Sequence, residues 1–366
     1  MNLKTQGYVL LDVDVVALNN AGKTTDANFD NAVGTKTVYK GGKAYVYVSG
    51  QAWRYWWREA LQKNHAWAMS PITRDNKIAF TEADPLKYDD DDVFGYMKAT
   101  KVDKLDAEGN VVLKKNGEPD KENGTVTRVS PLKNSAIVSV AATQPSKNWS
   151  SMARQVGDSV PYVKDEYSAI MKGMFSLDLS QVGTFSDYNK TGFKNITSNQ
   201  RETILAVAGS EAFTDAHVKT SKGEAQQLVR LAKTTRIKRS KETIQALKTI
   251  SGGAMQTNNM ADVTPKFIVL ASMTTGNHPF SHIATTDRTE KTVILSIEAL
   301  KEVLKDYKNQ FVGTVYIGRR KGFMDEIETE LKELEKLGSE AYPSVKVASI
   351  NEAIDQYCQQ LETQMT

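Results

Sequence analysis

The chain has 366 residues, enough for two or more domains or for one core carrying large insertions. With 40% hydrophobic and 25% charged residues it has ordinary globular composition, which excludes a mainly disordered protein. A net charge of +3 hides an imbalance: ten acids against four bases from Lys321 onward leave residues 1–320 at +9, so one face or domain can attract a polyanion. In chain order, Gly7–Leu18 predicts a strand, with Val9, Leu11, Val13 and Val15 set against Asp12 and Asp14. The same start has no basic head before an apolar core, and no apolar run reaches the length of a membrane span. A cytoplasmic location without membrane contact is the expectation. Asn19–Lys43 is polar and rich in Gly and Asn, and reads as a long loop of the kind that carries function. Ala44–Val48 is β-prone, and Ser49 is placed as the N-cap of a helix over Ser49–Lys63.

Residues 65–128 show no strong period and include Asp89–Asp92, so they read as an insertion outside the main core. Strand character returns at Ser135–Ala142 and Tyr167–Phe185. A long helical region is expected from about Ser198 to Ile250, interrupted near Gly209 and Lys222–Gly223 and ended by Gly252-Gly253, and Phe267–Met273 is another strand. The tail reads as helix (Ile297, Leu300, Leu304, Tyr307), strand (Phe311–Ile317) and helix (Ile327, Leu331, Leu334, Leu337). The single cysteine, Cys358, excludes a disulfide framework and lies on the helical stripe Ile350, Ala353, Ile354, Tyr357, Leu361, where a buried thiol is expected. Strands and helices without regular alternation suggest an α+β sheet domain elaborated by insertions.

Three segments carry binding chemistry. In SGQAWRYWWREALQK, Trp53, Trp56, Trp57, Ala60 and Leu61 share one helical face and must be core. Gln51, Arg54, Arg58 and Gln62 form the opposite stripe, which begins at a helix N-terminus where free N–H groups and the dipole favour an anion. Arginines one turn apart match successive phosphates, although a solvated helix face has the same spacing. The run Arg230–Lys241 places Arg230, Lys233, Arg236, Lys238, Arg239 and Lys241 together with no acid between them, either as a solvated basic face or beside an anion. Gly252–Asn259 combines small residues, which allow close backbone approach, with amides that supply neutral hydrogen bonds.

Ala17–Thr24 fits the loose pattern of a phosphate loop ending in Gly22-Lys23-Thr24, but no apolar-periodic helix follows. A nucleotide hydrolase is therefore the weaker alternative. His278 and His282 are separated by Pro279 and find no third ligand, and consecutive aspartates at 89–92 read as a solvated loop or cap. No catalytic set, metal site or cofactor is expected.

A first strand ending in Leu18-Asn19, a loop with Gly41-Gly42-Lys43, and Ser49-x-Gln51-x2-Arg54-x3-Arg58 together resemble the crRNA-binding backbone subunit of type I CRISPR Cascade complexes. The wording GYVLLDVDVVALNNAG, YVSGQAWRYWWREAL and FSLDLSQVGTF is similar to the DevR branch, the type I-B version. The resemblance implies an RRM/ferredoxin-like palm with inserted fingers and thumb. Its parts would be 1–64, palm strand and RNA-facing helix; 65–128, fingers; 129–144, palm strand; 145–166, thumb. Residues 167–320 would return to the palm with the basic helical region and a glycine-rich web loop, and 321–366 would be its acidic C-terminal part. It implies that Ser49, Gln51, Arg54 and Arg58 hold the guide RNA backbone, with Asn19, Asn20 and Lys36 nearby. Lys147, Trp149, Arg154, Tyr162 and Lys164 would be thumb contacts. Gly252, Gly253, Ala254, Gln256 and Asn258 would form the web, and Arg236 and Arg239 would add charge. Asn19 and Asn20 stand where RNA-cutting classes have a catalytic Asp, so no cleavage is expected. The implied partners are crRNA, target DNA in an R-loop, further copies placed head-to-tail in a helical filament, and other Cascade subunits of an antiviral defence system. A structural filament protein without an RNA role is a second alternative.

Overall fold

The computed structural model describes residues 2–26, 29–75, 78–99, 101–104, 106, 110–152, 156–188, 194–219, 222–338 and 340–365. The chain divides into two compact units, Met1–His65 with Lys133–Leu177 and Lys241–Gln364, and Ala66–Leu132 with Asp178–Ser240 and the last two residues. Residues 178–240, placed with the palm by the reading above, thus group with the insertion at 66–132.

The first unit is built on a mixed sheet. Its early elements are the strands β1 (Lys4–Val16), β2 (Asn20–Asp26), β3 (Phe29–Thr35), β4 (Thr37–Lys40) and β5 (Lys43–Val48), followed by the helix α1 (Gly50–His65). From one edge the sheet runs Val345–Ala348, Val315–Arg319, Phe267–Met273, β1, Val160–Asp178, Ile137–Ser139, β5, β4. Phe267–Met273 is buried at every position, as a strand covered on both faces must be. It pairs antiparallel with β1 (Tyr8 opposite Val269) and with Val315–Arg319, while the last pair, Val315–Arg319 with Val345–Ala348, is parallel. The C-terminal helix Ile350–Gln364 buries Ile354, Tyr357, Cys358 and Leu361; burial pushes the Cys358 thiol up to about 12. Tyr357 donates to Thr5 Oγ1 at 2.6 Å, which satisfies its hydroxyl inside the core.

Asn19–Lys43 is not a loop but three strands. β2 and β3 form a hairpin, and β3 runs parallel to the start of Val160–Asp178, with Val163 opposite Ala32. β4 and β5 turn back through Gly41 and Gly42, at φ +54° and +78°, the left-handed pair that a two-residue hairpin demands. Lys23 lies inside β2 opposite Val33, so Gly22-Lys23-Thr24 is strand and no helix follows it. That excludes the phosphate-loop geometry. Residues 146–166 form a second hairpin, Ser146–Met152 against the start of the 160–178 strand, with Trp149 opposite Val163.

Below the sheet, α1 buries its tryptophan face against Phe175. Trp57 meets that ring edge-on at 5.1 Å and Trp53 stacks on Trp57 at 5.4 Å. Burial of Phe175 alone is worth roughly 1.5–3 kcal/mol. Gly7 makes room for it: a Cβ there would lie 2.0 Å from the Phe175 ring. Trp57 Nε1 donates to the Thr243 carbonyl at 2.7 Å.

In the second unit, the helical region expected from 198 to 250 is two helices separated by a hairpin. After a short helix α2 (Asp89–Phe94) come α3 (Ser198–Leu205), the strands Glu211–Lys219 and Ala225–Arg230, and α4 (Lys233–Gln245). Thr197 and Gln200 form a capping box at α3, and Gly209 at φ +80° sits in the turn that closes with the Ser210 N–H on the Val207 carbonyl. Phe185, Ile196, Ile204, Val229 and Leu231 make a small core.

Asp89–Asp92, read as solvated, are instead the polar centre of this unit; Asp90, Asp91 and Asp92 are buried. Asp92 accepts from Gly183 N–H at 2.9 Å, from Arg239 Nη1 at 2.7 Å and from Arg128 Nη2. Asp89 takes Arg239 Nε at 2.6 Å, and Asp91 takes the Asp84 N–H at 2.9 Å. The two arginines and the carboxylates of Asp89 and Asp92 so arranged are expensive to break: removing one partner strands the other charge.

Candidate nucleic-acid interface

The end of β1 gathers the segments singled out in the sequence. Leu18 accepts the Ala254 N–H at 3.1 Å, and the carbonyl of Asn19 accepts the Lys36 N–H at 3.0 Å. Asn19 Oδ1 accepts the Ser49 N–H at 2.9 Å. Two successive residues therefore tie together the glycine segment, the Lys36 strand junction and the start of α1. Ser49 caps that helix by accepting the Ala52 N–H at 3.3 Å, and no acid occupies the first turn. The positive end of the helix dipole thus carries no acid of its own first turn.

Along α1, Gln51 and Gln62 are exposed and Arg54 and Arg58 half-buried, opposite the three buried tryptophans. Arg54 Nη1 donates to Asn134 Oδ1 at 3.1 Å, and Asn134 in turn donates to the carbonyls of Gly50 and Ser135, both at 3.1 Å. Asn134 is a positioning residue that local spacing did not disclose, because it lies 80 residues away from Arg54. Burial, followed by the charge of Arg58, pulls the Arg54 pKa down to about 10, still cationic at neutral pH. A desolvated guanidinium beside a second one is the arrangement that an anion relieves.

The glycines of the 252–259 segment are required by contact. A Cβ on Gly252 would lie 2.2 Å from the Trp56 ring, and Gly253, at φ +113°, would meet Leu18 at 2.8 Å. Gln256 spends its amide inside the loop, donating to the carbonyls of Gly252 and Ala261 (3.3 Å for the latter), so it shapes the segment. Asn258 is exposed. Asn259, the last residue of the segment, reaches the Val15 carbonyl and Glu166 Oε1, each at 3.0 Å.

The remaining candidates divide. On the 146–166 hairpin, Lys147 and Trp149 are exposed, Trp149 at 65%, while Tyr162 is half-buried. The register puts Trp149 opposite Val163 and Tyr162 opposite Ser150, so the two aromatic residues project from opposite faces. Lys164 is drawn in to Glu166, 2.6 Å away and buried. Burial raises the Glu166 pKa, but Lys164, Asn148 and Asn259 together hold it below the usual glutamate value. Asn20 begins β2 and is half-buried. Arg154 lies outside the described residues. Arg239 and Arg236, at 3% and 4% exposure, are withdrawn from the surface, Arg239 into the aspartate cluster and Arg236 onto the Leu231 carbonyl at 3.2 Å. Among the described residues no group of three His, Cys, Asp or Glu is placed to hold a metal ion, and no helix is long and apolar enough to cross a membrane.

Two solved structures resemble the whole chain at 10% identity. One is described as a CRISPR RNA-guided surveillance complex (TM-score 0.48; 98% of this chain and 99% of that one). The other is a CRISPR RNA-guided surveillance complex, pre-nicking (TM-score 0.50; 98% and 100%). At that identity only the second likeness bears on this chain, and on its fold alone. No curated protein sequence matches. A family model described as "CRISPR-associated negative auto-regulator DevR/Csa2" matches residues 9–293, about three quarters of the sequence. The chain belongs to the DevR/Csa2 family of CRISPR-associated proteins.

Proposed function

We propose that this chain is the non-catalytic backbone subunit of a type I-B CRISPR Cascade effector. It binds the crRNA spacer through phosphates and sugars and presents its bases for pairing with target DNA in an R-loop. The observation that carries this reading is the convergence of Asn19, Lys36, Ser49 and Ala254 on the α1 N-terminus, with Arg54 and Arg58 along the same helix. The groups assembled there are backbone N–H donors, neutral amides and guanidiniums, which grip phosphates without reading base edges. A subunit that serves any spacer needs this indifference to sequence.

In this reading the first unit is the RRM-like palm, the 146–166 hairpin the thumb, and the second unit the fingers. Copies repeat head-to-tail along one RNA as an open heterologous filament whose length the guide sets. The acidic segment after Lys321 meets a neighbour's basic surface. The test is the size of RNA surviving nuclease treatment of the protein purified with its partner subunits. Protected fragments at a regular spacing, lost in the Arg54→Ala/Arg58→Ala variant, support the proposal. A filament that forms equally well in that variant, with no protected RNA, supports a structural protein without an RNA role.

A further inference from the structure

Two segments of the proposed guide-binding face meet on one carboxylate. Glu166, 6% exposed, stands opposite Ser146 where the 146–166 hairpin runs on into the sheet. Its Oε2 accepts from Asn148 Nδ2 at 2.7 Å and its Oε1 from Asn259 Nδ2 at 3.0 Å. Lys164 Nζ lies 2.6 Å from the same Oε1. Asn148 and Lys164 face each other across the two strands of the hairpin, and Asn259 ends the glycine segment. Asn148 falls between Lys147 and Trp149, whose side chains leave the other face of their strand. Hydrogen bonds to an ionised carboxylate are about twice as strong as neutral ones, so this joint holds both elements firmly.

The Asn259 amide also donates to the Val15 carbonyl at 3.0 Å. Val15 has φ +47°, a left-handed conformation that a β-branched residue rarely adopts. Its N–H is held by Ser168 Oγ at 3.0 Å, two residues beyond Glu166, and that hydroxyl donates in turn to Asp14. A strained residue persists where its surroundings over-determine it, and here partners fix both the N–H and the carbonyl. Three residues on, the Leu18 carbonyl accepts the Ala254 N–H. The glycine segment is thus tied to the end of β1 at two points, Ala254 and Asn259, and to the hairpin through Glu166.

We propose that Glu166 is a positioning residue for the guide: through Asn148 and Lys164 on one side and Asn259 on the other, it locks the 146–166 hairpin to the 252–259 segment, so that the two meet RNA as one piece. The inference rests on the function proposed above, in which both segments face the guide. Glu166 is negative and buried, so it touches no phosphate; it acts through the residues it holds. Elements fixed before the ligand arrives spare the cost of ordering them on binding. Lys164, spent on this joint, is a strut rather than a phosphate ligand.

The test compares Glu166→Ala and Glu166→Gln with the unsubstituted full chain. Hydrogen exchange without RNA reads the lock directly. In Glu166→Ala the amides of 146–152 and of 252–259 should both exchange about tenfold faster or more, while Phe267–Met273 keeps its rates. Glu166→Gln keeps a side-chain oxygen between the two asparagines and should restore most of that protection. Should Glu166→Ala fail to fold, Asn259→Ala opens the joint from its other side, and the same paired change is expected. Filter binding of a single-stranded RNA to the protein purified with its partner subunits reads the consequence. Affinity should fall about tenfold in Glu166→Ala with the logarithmic salt slope unchanged, because no phosphate contact is lost. Faster exchange in only one of the two segments, or an RNA affinity equal to that of the unsubstituted chain, overturns the proposal. Absence of RNA binding by the unsubstituted protein overturns the function proposed above and the guide-positioning role with it, while the exchange rates still show whether the two segments are locked.

Discussion

Two arginine-bearing helices of this protein have opposite fates. On α1, the influences on Arg54 are burial and a second cation, Arg58, and its hydrogen bond goes to the neutral amide of Asn134. On α4, burial alone would lower the Arg239 pKa, but Asp92 and Asp89 more than reverse that and leave it raised. Arg239 is matched by two carboxylates within the fold; Arg54 lies on the Asn134 amide beside Arg58, and in the proposed function it serves binding. Charge density was higher on α4, so density is a poor guide. What decides is whether a carboxylate arrives from elsewhere in the chain, and Asp89 lies 150 residues from Arg239.

The sharpest way to break this contrast is Arg239→Ala. It removes the cation that the buried Asp92 and the half-buried Asp89 both contact and should cost about 3–5 kcal/mol; urea denaturation with limited proteolysis of residues 66–132 and 178–240 reads it. Arg54→Ala should move the same curve by about 1 kcal/mol, since its bond to Asn134 is to a neutral acceptor. Equal destabilisation by the two would erase the distinction between them.

Next in size is Gly252→Ala. Its Cβ has no room beside Trp56, and overpacking of this kind costs about 1–3 kcal/mol. Because the Ala254–Leu18 bond follows two residues later, the substitution should also weaken RNA binding, read by a filter assay at fixed salt.

The smallest effect belongs to Glu166→Gln, about 1 kcal/mol. The native Glu166 pKa is depressed, so its contribution is complete above the unfolded value of about 4.3 and is lost as pH falls through the lower native value. The stability difference between the two proteins should therefore be present at pH 7 and vanish at strongly acidic pH, which denaturation at a series of pH values checks.

Much of the α1 surface was legible beforehand. The tryptophan spacing fixed the buried face, and through it the orientation of Gln51, Arg54 and Arg58. Ser49 as N-cap, Cys358 as a core thiol and the Phe267–Met273 strand followed from equally local rules. Residues 19–43 were misread as a loop because their strands lie at the margins of the sheet and carry few apolar side chains, so period 2 never shows. The 211–230 hairpin was hidden for a related reason: Gly209 and Gly223 looked like interruptions of a helix when they are turns at φ near +80°. The fates of Lys164, Gln256, Arg236 and Arg239 depend on partners brought by tertiary structure, as does the service of Asn134 and Asn259.

The central claim is that Arg54 and Arg58 hold RNA phosphates without regard to sequence. The most direct measurement is the affinity of the protein for two single-stranded RNAs of equal length and unrelated sequence across a salt series. Equal affinities for the two RNAs are expected. Arg54→Ala/Arg58→Ala should bind more weakly, with a logarithmic salt slope shallower by about 1.4, from about 0.7 for each lost phosphate contact. A marked preference for one RNA, or an unchanged slope in the double variant, would contradict the claim.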